Sequence, residues 1–224
     1  NARAASRAMS RLGEEEKNRI LLTMADEIDA RKSGIQAANA IDLAAGRDAG
    51  LSSSLLDRLE MTDDRVRGMS NGIREIVDLA DPVGKVLRTW TQPNGLEIQK
   101  VRVPIGVIGI IYESRPNVTA DAAAICIKSG NAVILRGGKE AAHSSRAIVD
   151  LISGVAAENN IPTDAVQLVS TTDRDAVGHF LRLNDFIDVA IPRGGEGLIR
   201  RVADEATMPV IKHFEGNCHV YVDE

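Results

Sequence analysis

The stretch that most constrains this chain is Val103-Pro104-Ile105-Gly106-Val107-Ile108-Gly109-Ile110-Ile111-Tyr112-Glu113-Ser114-Arg115-Pro116-Asn117-Val118. It begins as an apolar run rich in isoleucine and valine. It ends abruptly in polar residues, a proline and an asparagine, and a helical pattern follows at once. A continuous apolar run of this kind reads as a parallel strand with both faces covered by helices, since a half-exposed strand alternates instead. In open α/β sheets, ligands sit outside the carboxyl ends of such strands. Residues 113–117 are therefore the first place to expect chemistry.

The sequence downstream keeps that rhythm. A helix is expected over 118–128, with Ala122, Ala123, Ile125 and Cys126 on its apolar side. Short strands are expected at 132–135, 166–169, 186–191, 209–211 and 219–222, with helices over 140–158 and 173–181 and another opening after Gly197. Strands alternating with helices imply a doubly wound, Rossmann-like parallel sheet with right-handed crossovers, and so an α/β fold. Aromatic residues make up only 3% of the 224, so the core has to be aliphatic.

Upstream, residues 2–81 read as helices. Leu21, Met24, Ala25 and Ile28 form one helical stripe, Lys32-Ser33-Gly34 interrupts it, and Ile35, Ala38, Ile41 and Leu43 form a second. Ser52 is placed to cap a short helix carrying Leu55, Leu56 and Leu59. Thr62-Asp63-Asp64 opens another, which runs through Ile73, Ile76, Val77 and Leu79 and stops before Asp81-Pro82. No catalytic motif occurs there; this region reads as a helical layer that packs on the rest. Two strand-like arms follow, 86–92 and 96–103, joined by Pro93-Asn94-Gly95, and Asn-Gly between alternating runs signals a hairpin. Its open edges suit pairing with a second copy of the chain, although a plain excursion of a monomer fits the pattern too. The expected organisation is a helical part over 1–84, a hairpin arm over 85–103 that supports oligomerisation, and a nucleotide-binding part over 104–224.

Three expected strand ends carry more polar chemistry than packing needs. At the first, Pro116 stiffens the loop, and Asn117 either caps the next helix or aims its amide into the cleft as an oxyanion donor. At the second, Arg136-Gly137-Gly138-Lys139 sets two cations around two glycines. That suits a phosphate such as the 2′-phosphate of NADP, or else is a glycine turn with solvated charges. At the third, Arg193-Gly194-Gly195-Glu196-Gly197 opens a helix with free backbone N–H groups, which favours anions. Neither G-x-G-x-x-G nor a Walker A loop is present. Cys126, on an apolar helix face, reads as core. Cys218 lies beside His219, but neighbours in a strand point to opposite faces, which argues against a nucleophile–base pair. His143, His179, His213 and His219 have no ligand spacing, and no metal site is expected.

The net charge of −5 gives no reason to expect nucleic acid or an anionic membrane as partner. No apolar run approaches the roughly 20 residues needed to span a bilayer. The first residues show no secretory signal, and the two cysteines read as free thiols, so a reducing, cytoplasmic location is expected.

The segments Tyr112-Glu113-Ser114-Arg115-Pro116-Asn117-Val118-Thr119, residues 129–140 and Ile191-Pro192-Arg193-Gly194-Gly195 closely resemble the γ-glutamyl phosphate reductases. These enzymes are also called glutamate-5-semialdehyde dehydrogenases and fall within the aldehyde dehydrogenase superfamily. The likeness extends to Leu56-Asp57-Arg58-Leu59, Asp81-Pro82-Val83-Gly84 and Cys218-His219-Val220-Tyr221-Val222-Asp223. It implies NADPH-dependent reduction of L-glutamate 5-phosphate to the semialdehyde in proline biosynthesis, through a cysteine thioester. It also raises association with glutamate 5-kinase as a partnership. Asn117 falls on the superfamily's oxyanion asparagine and Arg136 on the lysine that contacts the adenosine ribose. Lys139 falls where relatives that prefer NAD carry a glutamate. Gly138, Gly194 and Gly195 are the expected backbone contacts to the cofactor, and Arg115 is the expected grip on the substrate. In these enzymes the nucleophilic cysteine lies in a Pro-Ser-x-Cys-Asn segment, and the 224 residues contain none. The resemblance thus implies most of a cofactor-binding domain, without the catalytic domain and inactive alone. A catalytically silent nucleotide-binding or oligomerisation domain is the alternative. Where hydrolytic relatives carry a general base, this chain has His213.

Overall fold

A computed structural model describes residues 1–213; Cys218 and the strand expected at 219–222 lie outside the described residues. Its centre is a four-stranded, wholly parallel sheet in the order β5-β4-β3-β6. The strands are β3 (Val107–Tyr112), β4 (Ala132–Arg136), β5 (Val166–Leu168) and β6 (Val189–Arg193). Every residue of β3 is buried, as the unbroken apolar run predicts for the strand that β4 and β6 flank. Helix α6 (Asn117–Lys128) carries the chain from β3 to β4, and α7 (Ala142–Glu158) from β4 to β5. The chain then crosses back over β3 through α8 (Asp175–Phe180) to lay β6 on its other side. The strand order reverses between β3 and β6, and a ligand crevice is expected at that reversal.

Tyr112 marks one face of the sheet: its hydroxyl meets Thr119 of α6 at 2.8 Å and donates to Ser145 of α7 at 3.5 Å. Burial pushes the Tyr112 phenol above its ordinary pKa. Phe180 of α8 lies over Gly109 on the opposite face. Outside α6 and α7 pack α2 (Glu14–Ala30), α3 (Lys32–Asp48) and α5 (Asp63–Asp78). Their buried residues Ile20, Leu21, Met24, Ile28, Val66, Met69 and Ile73 join one continuous core with the sheet. α1 (Ala2–Met9) crosses the amino ends of the strands, where Arg3 donates twice to Asp188 at 2.8 Å. Asp188 in turn accepts the first amide of β3, from Val107, at 2.8 Å.

The expected caps are present. Ser52 Oγ accepts from Leu55 N at the start of α4 (Ser53–Leu59), and Thr62 Oγ1 accepts from Arg65 N at the start of α5. Other boundaries differ for physical reasons. The interruption expected at Lys32-Ser33-Gly34 lies earlier, at Arg31, and α3 begins at Lys32 with Gly34 inside it. The buried face of α3 is Ile35, Asn39, Asp42, Leu43 and Gly46, and Ile41 is 53% exposed. Asn39 and Asp42 take inward positions because both are well bonded there. Asn39 donates to the Leu59 carbonyl and accepts from Met61 N, each at 2.8 Å. Leu79 lies just past α5 and is exposed. The strand expected at 186–191 begins three residues later and runs through Pro192, whose missing N–H costs little near a strand end. Of the strand expected at 209–211, only one bridge forms, Ala190 to Val210.

The hairpin consists of β1 (Val86–Thr91) and β2 (Glu97–Val101), paired antiparallel with an irregularity at Leu87. Gly95 adopts φ +86° in the turn, which is why Asn-Gly is found there. Val86, Leu87, Leu96 and Val101 are all exposed on this ribbon. No helix is long and apolar enough to cross a membrane among the described residues.

Candidate active site

The carboxyl end of β3 continues into Glu113-Ser114-Arg115-Pro116, and this loop forms one lip of a cleft of about 760 Å³. The other lip is Arg193-Gly194-Gly195 at the end of β6. The floor is apolar, made by Ile108, Ile110 and Ile191 of the sheet with Ala122 and Ile125 of α6. The cleft sits at the strand-order reversal, where the fold places it. Two of the three polar strand ends, with Arg115, Asn117, Gly194 and Gly195, therefore face one space.

The β3 loop is held in an uncommon shape. Ser114 has φ +40°, a left-handed conformation that costs a non-glycine residue about 1 kcal/mol or more. Pro116 fixes φ at −58° and leads directly into α6. Asn117 is the first residue of that helix rather than its cap, so it does not cap α6. Its amide instead donates to Asp121 Oδ2, one turn on, at 3.0 Å. Burial raises the pKa of Asp121, opposed by that hydrogen bond.

The opposite lip is not an open anion slot. Glu113 Oε2 accepts the Gly195 amide at 2.9 Å, at the start of α9 (Glu196–Glu205). Gly194 permits this approach, since a Cβ there would lie 2.5 Å from the same carboxylate oxygen. Arg193 shares its guanidinium with His213 at 3.3 Å, which puts His213 at the cleft rim. Arg58 of α4 also lines the cleft. Neither Arg58 nor Asp121 stands out in the sequence: each lies on a helix with ordinary spacing. The tetrad Leu56-Asp57-Arg58-Leu59 belongs to the family resemblance but gives Arg58 no role.

The remaining strand end, Arg136-Gly137-Gly138-Lys139, opens on a separate, smaller recess of about 70 Å³, lined by Gly137, Gly138, Ser145, Arg146 and Thr172 among others. Arg136 is 8% exposed and donates to the carbonyls of Thr172 and Asp173 at 2.9 and 3.0 Å. Its Nε is buried with no hydrogen-bond partner among the described residues. A Cβ on Gly138 would lie 2.5 Å from Glu140 Oε2 and 3.4 Å from the Ser114 amide. Lys139 is exposed in the short 3₁₀ turn Lys139–Ala141. A buried donor unpaired among the described residues, a glycine cradle and an exposed cation at a strand's carboxyl end are chemistry that fits a nicotinamide dinucleotide.

Cys126 is 2% exposed, and burial pushes its thiol pKa up to about 12, which leaves it protonated and unreactive at neutral pH. Among the described residues no group of three His, Cys, Asp or Glu side chains could hold a metal ion.

Comparison with known proteins agrees with this architecture. The aldehyde dehydrogenase family model matches residues 1–224. The chain is 59% identical over 223 residues to the γ-glutamyl phosphate reductase of Rhodopirellula baltica, covering 100% of this chain and 51% of that protein. It is 56% identical over 222 residues to the γ-glutamyl phosphate reductase of Moorella thermoacetica, covering 99% of this chain and 53% of that one. The crystal structure of the Thermotoga maritima γ-glutamyl phosphate reductase superposes with a TM-score of 0.95 at 43% identity, over 100% of this chain and 54% of that structure. The chain thus spans about half the length of the relatives it matches.

Proposed function

Because this chain belongs to the aldehyde dehydrogenase family, we propose that it is the cofactor-binding portion of an enzyme that reduces L-glutamate 5-phosphate to L-glutamate 5-semialdehyde and phosphate, using NADPH, in proline biosynthesis. The observation that carries this reading is the cleft at the strand-order reversal, where Asn117 lies among Arg58, Arg115 and Arg193. A substrate with a carboxylate and an acyl phosphate needs cations near the reacting carbon and a donor for the oxyanion. The four side chains supply both. Arg115 is the proposed grip on the substrate, and Asn117 the proposed oxyanion donor.

Arg136, Gly138 and Lys139 are the proposed seat of the cofactor's adenosine and 2′-phosphate, with Gly194 and Gly195 on the side of the pyrophosphate. The nicotinamide supplies the hydride. A glutamate in place of Lys139 puts two like charges together. Lys139→Glu is expected to weaken NADPH binding by about 10- to 100-fold, the value of a lost charged hydrogen bond, while NADH binding holds. Fluorescence titration of the two cofactors checks it, and an unchanged NADPH affinity removes the 2′-phosphate role from Lys139.

The proposed organisation is a helical part over 1–84, the hairpin arm over 85–103 and the nucleotide-binding part over 104–224. The exposed apolar residues and free edges of the hairpin support pairing with a second copy of the chain. The reaction is tested by supplying the complete gene product with glutamate semialdehyde, NADP and phosphate and following NADPH absorbance. Turnover is expected, and its absence with intact cofactor binding would favour the silent nucleotide-binding domain. A polypeptide of these 224 residues alone is expected to turn nothing over, because the Pro-Ser-x-Cys-Asn segment is not among them.

A further inference from the structure

We infer that Asp121 is a positioning residue that fixes which way the Asn117 amide faces. The inference rests on the oxyanion role proposed for Asn117. As the first residue of α6, Asn117 has no preceding helical turn to restrict its side chain. Its amide makes one hydrogen bond among the described residues, from Nδ2 to Asp121 Oδ2 at 3.0 Å. Residues four apart lie on one face of a helix, so Asp121 is the nearest helical neighbour able to hold it.

The choice of a carboxylate matters. An amide has a donating end and an accepting end of nearly equal shape, and it flips unless its partners distinguish them. An ionised carboxylate accepts only. If Asn117 flipped, its carbonyl oxygen would face the Asp121 oxygen, and two acceptors would repel. With Asp121 in place, Nδ2 must lie toward it. Nδ2 carries two hydrogens, and the second is left for the cleft that both residues line. The side chain of Asp121 is half-buried, at a desolvation cost that its raised pKa reports. Leucine or alanine would fill the place without that cost, but neither would orient the amide.

The test is a double-mutant cycle in the complete gene product, reading kcat, KM for phosphate and semialdehyde, and NADPH affinity. Asp121→Ala is expected to lower kcat by about 10- to 100-fold, as displaced catalytic groups do, with KM and NADPH affinity held. Asp121→Asn accepts a hydrogen bond but also permits the flipped amide, and is expected to fall between alanine and the parent. In an Asn117→Ala background, Asp121→Ala is expected to cost nothing more, because the amide it orients is gone. If Asp121→Ala lowers kcat by the same factor in both backgrounds, it acts by another route and the inference is overturned. If Asn117→Ala alone leaves kcat unchanged, the oxyanion role fails, and the positioning role with it. Should the alanine variant fail to fold, Asp121→Asn in both backgrounds separates the same outcomes through its smaller effect.

Discussion

Replacing Asn117 with alanine in the complete gene product is expected to lower kcat by about 10²–10³-fold, or about 3–4 kcal/mol of transition-state stabilisation, and to leave NADPH affinity unchanged. The size follows from where the proposed donor sits. Asn117 is half-buried between the polar lip and the apolar floor of the cleft, where the local dielectric is far below that of water. A donor fixed there before the reaction needs no reorganisation as the oxyanion forms. The loss falls on kcat because the interaction strengthens only as charge develops, whereas the ground-state carbonyl needs little from it. Steady-state kinetics with matched cofactor titrations checks this. A change confined to KM would make Asn117 a substrate-binding residue instead.

The largest expected effect on stability lies far from the cleft. Asp42 of α3 has a side chain 2% exposed. It accepts from His143 N at 3.1 Å, from Ser144 N at 2.8 Å and from Ser144 Oγ at 2.6 Å, and meets His143 Nδ1 at 2.8 Å. These are among the first amides of α7, whose own capping residue, Ala141, has no side chain able to accept them. A carboxylate from another helix thus satisfies the end of the helix that backs the sheet. Asp42→Ala strands the buried Ser144 amide and hydroxyl, leaves the part-buried His143 amide without its acceptor, and is expected to cost about 3 kcal/mol. For a chain of this size that lowers Tm by about 6–12 °C. Asp42→Asn keeps the shape and one accepting oxygen but turns its NH2 toward the other donors, so it recovers only part of the loss. Thermal or urea unfolding measures both variants, and a loss below about 1 kcal/mol for alanine would show that the amides find other partners.

Much of the fold can be read from residue type alone, because the signals are local. The run through Ile111 has to be a strand covered on both faces; Ser52 and Thr62 have to begin helices; Asn94-Gly95 has to turn. The inward placing of Asn39 and Asp42 could not be read. Helical periodicity weighs apolar residues, and the partners of these two lie on other elements: Leu59, Met61 and Ser144 for Asn39, and His143 and Ser144 for Asp42. For the same reason Ile41 fits the buried stripe by spacing, and only the polar pair displaces it. At the cleft, the loop 113–117 and the turn 193–195 are legible separately as strand ends. Their meeting depends on β6 lying beside β3, which no local pattern in either segment records. Asp121 is hidden in another way: a single acid on a short alanine-rich helix looks like a solvated face until Asn117 is seen to point at it.

The bond from Glu113 to the Gly195 amide changes what binding means at the start of α9. The helix end is already engaged by an anion tethered to the same polypeptide, present at a high effective concentration. A phosphate arriving from solution therefore joins an exchange rather than filling a vacancy. Its net affinity at that amide is the difference between two anions competing for one donor.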